Sequence, residues 1–242
     1  MYNTYRLTNG LDIEVWSDIP IGVGLGSSAA IAVATTAALN NLFDTKLGLD
    51  AISSLAYEGE KITHGTPSGI DNSIATYGGG ILFKKGKISR IEVPSKIPLL
   101  IINSGISRST KTQVENVKKL YQTHPTIFKS IFQAIDAISL KAENALRIQK
   151  LKMLGNLLTY NQHLLRILGV STMELDDLVE LLMSNGALGA KLTGAGGGGC
   201  LIALFDSVDG KRSCVGALKS KNIEHFDTIL SEFGVQIEHT LK

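Results

Sequence analysis

The chain has 242 residues, 44% of them hydrophobic and 19% charged, with 24 Lys and Arg against 22 Asp and Glu. That length allows one large domain or two small ones, and the hydrophobic share excludes a disordered chain. A net charge of +2 leaves no basic footprint for nucleic acid, and two cysteines, Cys200 and Cys214, exclude a disulfide scaffold. No apolar signal core follows Met1, and the most apolar stretch, residues 29–39, is too short to span a bilayer. A cytoplasmic protein acting away from membranes is the expectation. Glycine makes up about a tenth of the chain, above the usual ~7%, and is clustered at residues 22–26, 78–80 and 194–199.

In chain order, Leu11-Asp12-Ile13-Glu14-Val15-Trp16 alternates apolar and polar and predicts a half-buried strand. A glycine-rich break follows, and Ser27 or Ser28 is expected to cap a helix over residues 29–42. Its many alanines predict close packing, here against a sheet. A second helix is expected from Asp50 to Lys61, a loop over 65–69, and a short helix over 70–76. Residues 81–83 and 88–93 read as a hairpin with a Lys-Lys-Gly-Lys tip. A change of texture between Pro94 and Pro98 suggests two domains, 1–95 and 96–242. Residues 99–102 predict a buried strand, and 109–185 helices broken near Pro125, Lys150 and Gly169. Ser171-Thr-Met-Glu174 resembles a capping box. Strands are expected at 190–192, 200–205, 226–230 and 235–238, with a helix ending near Lys221. Mixed strand and helix order makes the class α+β in two lobes.

Three segments can carry chemistry. In Gly22-Val23-Gly24-Leu25-Gly26-Ser27-Ser28, between the first expected strand and helix, glycine backbone N–H groups and a helix N-terminus suit a polyphosphate with its Mg²⁺. The pattern is neither a dinucleotide fingerprint nor a Walker A loop, and a plain glycine turn with a serine cap is the bland alternative. Glu60 and Asp71 stand eleven positions apart across a Gly/Pro/Ser loop that contains His64. One carboxylate can hold Mg²⁺ and the other can orient or deprotonate a hydroxyl; alternatively Glu60 is a solvated helix residue and Asp71 a cap. Lys191-Leu-Thr193-Gly194-Ala195-Gly196-Gly-Gly-Gly199-Cys200 needs a compensating reason for its entropic cost, such as a loop pressed on phosphate or on another loop. Cys200 itself, like Met153, Met173 and Met183, reads as core. Arg108-Ser109-Thr110 could face a small anion, or Ser109 could simply cap a helix.

These motifs, in this order, resemble those of the GHMP kinases. The P-x-G-x-G-L-G-S-S-A-A pattern falls on residues 20–30, and His64-Gly-Thr-Pro-Ser-Gly-Ile-Asp71-Asn72 narrows the likeness to the branch that phosphorylates mevalonate. Residues 191–200 are similar to the family's third motif. The resemblance implies a ribosomal-S5-like N-lobe, here incomplete, and a ferredoxin-like C-lobe. It implies ATP phosphates on Gly22 to Ser28, Mg²⁺ on Ser28 and Glu60, and Asp71 acting on the mevalonate 5-hydroxyl. Arg108, Thr110, Thr193, Gly194 and Ala195 would lie on the substrate side or support it. Other members act on phosphomevalonate, galactose or homoserine, and a non-catalytic fragment or binding homologue is the alternative of a different class. Many members are dimeric, so a homodimer is a further expectation. The family's first motif, of P-G-[KR]-x-x-x-x-G-E-H type, has no counterpart among residues 1–10. On that ground residues 11–16 are expected to be an exposed edge strand.

Overall fold

The computed structural model describes residues 10–19, 23–64, 67–84, 87–93, 97–107, 109–228 and 230–238. They divide into two compact units, one of Leu25–Ile91 with residues 10–19 and 231–238, the other of Glu92–Leu230 with Val23 and Gly24. Among the described residues, no helix is long and apolar enough to cross a membrane.

The first unit is built from helices α1 (Ser27–Leu42), α2 (Leu49–His64) and α3 (Ile70–Tyr77), followed by an antiparallel hairpin of β1 (Gly80–Lys84) and β2 (Lys87–Ile91). Val33 and Ala37 of α1 meet Ile52 and Ala56 of α2 in its core. Small residues allow this approach: a methyl group at Gly59 would stand 3.8 Å from that of Ala32. Among the described residues α1 therefore lies against α2 and α3, not against the expected sheet. The serine cap is also corrected. Gly26, left-handed at φ 74°, holds the N-cap position, and both serines are inside the helix.

Residues 11–16 do not form the expected strand. The alternation is present, but no described strand runs beside it to accept its ladder bonds, and all six residues are exposed, Trp16 at 83%. Residues 235–238 are likewise irregular. The stretch just before them, 231–234, crosses the end of α3, backbone on backbone. A Cβ at Gly78 would fall 2.1 Å from the Phe233 carbonyl carbon, and one at Gly234 would fall 2.1 Å from the Thr76 oxygen. The Gly79 N–H donates to Ser231 O at 2.8 Å, and Val235 joins the core beside Val33.

In the second unit β3 (Leu99–Asn103) is central to an antiparallel sheet with β4 (Gly189–Leu192), β5 (Cys200–Leu204) and β6 (His225–Thr228), in the order β4-β5-β3-β6. The helices are α4 (Thr110–Thr123), α5 (Pro125–Arg147), α6 (Leu151–Ile167), α7 (Met173–Ser184) and α8 (Val208–Ser220). Leu100, Ile102, Leu192 and Leu201 face a core completed by Leu175, Leu182 and Leu218. Leu204 belongs to a second cluster, with Ala145 of α5 and Leu154 and Leu157 of α6. The helix breaks fall where Pro125 starts α5, where Gln149 takes φ 54° before α6, and where Gly169 takes φ 73° after it. Thr172, not Ser171, caps α7, accepting from Leu175 N–H. Its hydrogen bond to Glu174 holds that carboxyl below the usual range. Met173 is 76% exposed and Met153 and Met183 more than a third, so none of them is core. Cys200 is fully buried.

Candidate active site

The spacing of Ser53, Tyr57 and Glu60 puts them on one face of α2, and each meets a different part of the candidate site. Glu60, only 5% exposed, accepts a hydrogen bond from the Ser28 hydroxyl at 2.5 Å. This joins the second residue of α1 to the last turn of α2. Ser28 thereby leaves the first N–H groups of α1 without a side-chain cap, at the end of the helix where the dipole is positive. Glu60 is thus a buried carboxylate and not a solvated helix residue.

Asp71 lies in the first turn of α3, and its side chain passes Gly26: a Cβ built there would stand 3.7 Å from Asp71 Cβ and Cγ. Asp71 is solvent-exposed and does not cap α3, a position held by Gly69. The helix that carries it is fastened to α2 by Asn72, whose amide donates to Ser53 O at 3.1 Å and Ser53 Oγ at 3.0 Å. A Cβ built on Gly69 would stand 3.5 Å from the Tyr57 ring, and the Tyr57 hydroxyl donates to Pro67 O at 3.1 Å. Ser53 and Tyr57 belong to no motif in the sequence; their i, i+4, i+7 spacing with Glu60 is the one signal that points to them. Gly26, Ser28, Glu60 and Asp71 are thus brought together within one unit. Val23, Gly24 and Leu25 form the bend leading into α1. Gly22, Arg108 and the His64 side chain lie outside the described residues.

In the second unit the loop between β4 and β5 is pinned at its neck, where Thr193 N–H and Oγ1 both donate to Cys200 O, at 2.9 and 3.0 Å. Gly194, Gly196, Gly197, Gly198 and Gly199 all take positive φ, between 64° and 141°. A Cβ at Gly196 would lie 2.2 Å from Val170 O, and one at Gly198 would lie 2.5 Å from Ile106 O. The glycines are therefore needed to pass other backbone closely as well as to turn. Gly197 N–H donates to Val170 O at 2.8 Å and Gly199 N–H to Ile106 O at 3.0 Å. Thr110 opens α4 and is exposed, while Ser109 caps that helix at 3.3 Å from Thr112 N. Just before the loop, burial draws the Lys191 ammonium down to about 8.

Mg²⁺ prefers hard oxygen donors and takes one or two from protein when phosphate supplies the rest. The Ser28 hydroxyl and the buried Glu60 carboxylate, 2.5 Å apart beside an uncapped helix N-terminus, fit that demand. Asp71, beside Gly26, supplies a second carboxylate, one that is open to solvent.

Comparison with known proteins gives the family. The family model for the GHMP kinases N terminal domain matches residues 1–80, and that for GHMP kinases C terminal matches residues 142–225. The chain is 45% identical to the mevalonate kinase of Archaeoglobus fulgidus over 88% of its own length and 72% of the relative's. It is 40% identical to the mevalonate kinase of Bos taurus, covering 88% of its own length but 59% of that protein's. The crystal structure of L. major mevalonate kinase in complex with R-mevalonate superposes with a TM-score of 0.77 at 38% identity, over 81% of this chain and 61% of that one. With both halves matched, and a relative this similar covered over more than two thirds of its length, the chain belongs to the GHMP kinase family.

Proposed function

We propose that this chain phosphorylates mevalonate on its terminal hydroxyl, with ATP as donor and Mg²⁺ as cofactor, as a cytoplasmic enzyme. The observation that carries the reading is the convergence of Ser28, Glu60 and Asp71, from three helices, around the start of α1. The names of the more similar relatives support the substrate class: those given above are mevalonate kinases, and one was crystallised with R-mevalonate.

Phosphoryl transfer depends mainly on positioning and charge neutralisation. Backbone N–H groups at the start of α1 would receive the phosphates of ATP, and Ser28 and Glu60 would hold the Mg²⁺, which offsets phosphate charge when bound. Asp71 accepts the proton of the mevalonate hydroxyl as that oxygen bonds to the γ-phosphorus, and the bond from the γ-phosphorus to the bridging oxygen breaks to leave ADP. Asp71 suits this role because it is reachable from solvent beside the start of α1. The glycine loop of the second unit, with Thr193, Gly194 and Ala195, is read as a substrate-side support, together with Arg108 and Thr110.

The test is ADP release by the purified protein with mevalonate, phosphomevalonate, galactose or homoserine as acceptor. ADP formation with mevalonate is expected. Turnover of another acceptor with none on mevalonate would overturn the substrate; no turnover with any acceptor would favour a binding protein.

A further inference from the structure

Gln162, in the middle of α6, is 3% exposed, yet its side chain is polar. Burying an amide is tolerated only where its hydrogen bonds are replaced, and here both ends are used. Its Oε1 accepts from Leu192 N–H at 3.0 Å, and its Nε2 donates to Ser171 Oγ at 2.9 Å and to Asp176 Oδ1 at 3.3 Å. The Ser171 hydroxyl donates to the same Asp176 oxygen at 2.8 Å, and Arg166 holds the other carboxylate oxygen at 3.0 Å.

The endpoints of this network matter more than its size. Leu192 is the last residue of β4, directly before Thr193 and the glycine loop. Ser171 follows Val170, whose carbonyl accepts from Gly197 N–H in the centre of that loop. One buried amide therefore ties the entrance of the loop to the turn against which its middle rests. We propose that Gln162 is a positioning residue for the glycine loop, fixing where the loop's backbone stands. For its bearing on turnover this rests on the kinase reading above; for its bearing on the loop it does not.

The chemistry explains the choice of residue. Leucine would strand the Leu192 N–H and remove a donor from Asp176. Glutamate could still accept from Leu192 but could not donate, and would bring a second carboxylate against Asp176. Gln162→Glu is therefore the informative change, and Asp176→Asn added to it restores a donor–acceptor pair between the two side chains.

Amide hydrogen exchange and steady-state kinetics test this together. In Gln162→Glu, exchange at Leu192 and Gly197 should speed up about tenfold, as expected for loss of a hydrogen bond or two, while Ile102 and Leu201 in the sheet stay protected. Turnover should fall about tenfold with KM for mevalonate changed less than about threefold. The double variant should recover both. Unchanged exchange at Leu192 and Gly197, a uniform rise that includes the sheet, or no recovery in the double variant would each overturn the proposal. So would faster loop exchange with unaltered turnover. If Gln162→Glu does not fold, Ser171→Ala is read at the same amides, and unchanged exchange at Gly197 there overturns the proposal. A wild-type chain that fails to phosphorylate mevalonate sinks the kinase reading alone, because the exchange experiment does not require turnover.

Discussion

Two carboxylates in the first unit have been given opposite environments. Glu60 is buried and bonded to the Ser28 hydroxyl, whereas Asp71 is open to solvent beside the backbone of Gly26. A group that receives a proton from an incoming alcohol must be reachable; one that shares a cation with phosphate is better enclosed. Asp71→Asn keeps size and shape while removing the charge. Turnover should drop by about 10²–10⁴ with the melting temperature little changed, and wild-type turnover would remove Asp71 from the mechanism. Lys191 offers a test of a different kind. Its ordinary value of 10.5 falls to about 8 through burial, so between those pH values the unfolded chain binds the extra proton and stability rises with pH. The penalty of burying the charge is complete below pH 8 and gone above 10.5. Lys191→Met should therefore stabilise the protein at pH 7 relative to high pH, with the gain fading toward pH 10.5. Thermal melts across that range decide it, and a pH-independent difference would contradict the assignment.

At the scale of elements, the glycine loop is the segment least tolerant of change. Gly196 combines φ 78° with a Cβ position 2.2 Å from Val170 O, so alanine there meets backbone that cannot rotate away. Gly196→Ala should cost more than about 1–2 kcal/mol and should spare β3 and β6 while loosening β4 and β5. Gly216→Ala, on α8 with open space around it, serves as the control and should be neutral or mildly stabilising by helix propensity. Chemical denaturation of both variants measures the difference. The loop's glycines were plain in the sequence, as were the helix breaks at Pro125, Lys150 and Gly169, because such signals are local. The expected strands at residues 11–16 and 235–238 did not form, since a strand exists only where another segment takes up its hydrogen bonds and no described strand does so there. Ser28 misled for a related reason: its hydroxyl went to Glu60, 32 positions away, where a local rule expected a cap. The buried amides Asn72 and Gln162 were not legible as fasteners, because their partners are set by tertiary packing.

At the scale of the whole molecule, the chain leaves the first unit at Ile91 and comes back to it at Ser231, after the whole of the second unit has been made. The returning segment is more than a tail. Its Gly234 crosses Thr76 and Gly78 at a distance no side chain would permit, and the partly buried Val235 packs against the cluster of Val33, Ala37, Ile52 and Ala56. The first contact bears on the end of α3, the helix whose first turn carries Asp71, and the second on the α1–α2 core beneath it. Ending the chain after Leu230 removes the Ser231 carbonyl from Gly79 N–H and opens an apolar gap where Val235 stood. Val235 is only partly buried, so its loss costs less than the ~1.5–3 kcal/mol of a fully buried valine, and the exposed backbone of Gly78 and Gly79 adds to it. The truncated protein should therefore lose amide protection across α1, α2 and α3 while β3 and β5 keep theirs, since their core of Leu100, Ile102 and Leu201 contains no residue beyond 230. Hydrogen exchange read by unit measures this directly. Equal loss in both units would mean that they unfold as one, and full protection in α3 would mean that the crossing at Gly234 holds nothing in place.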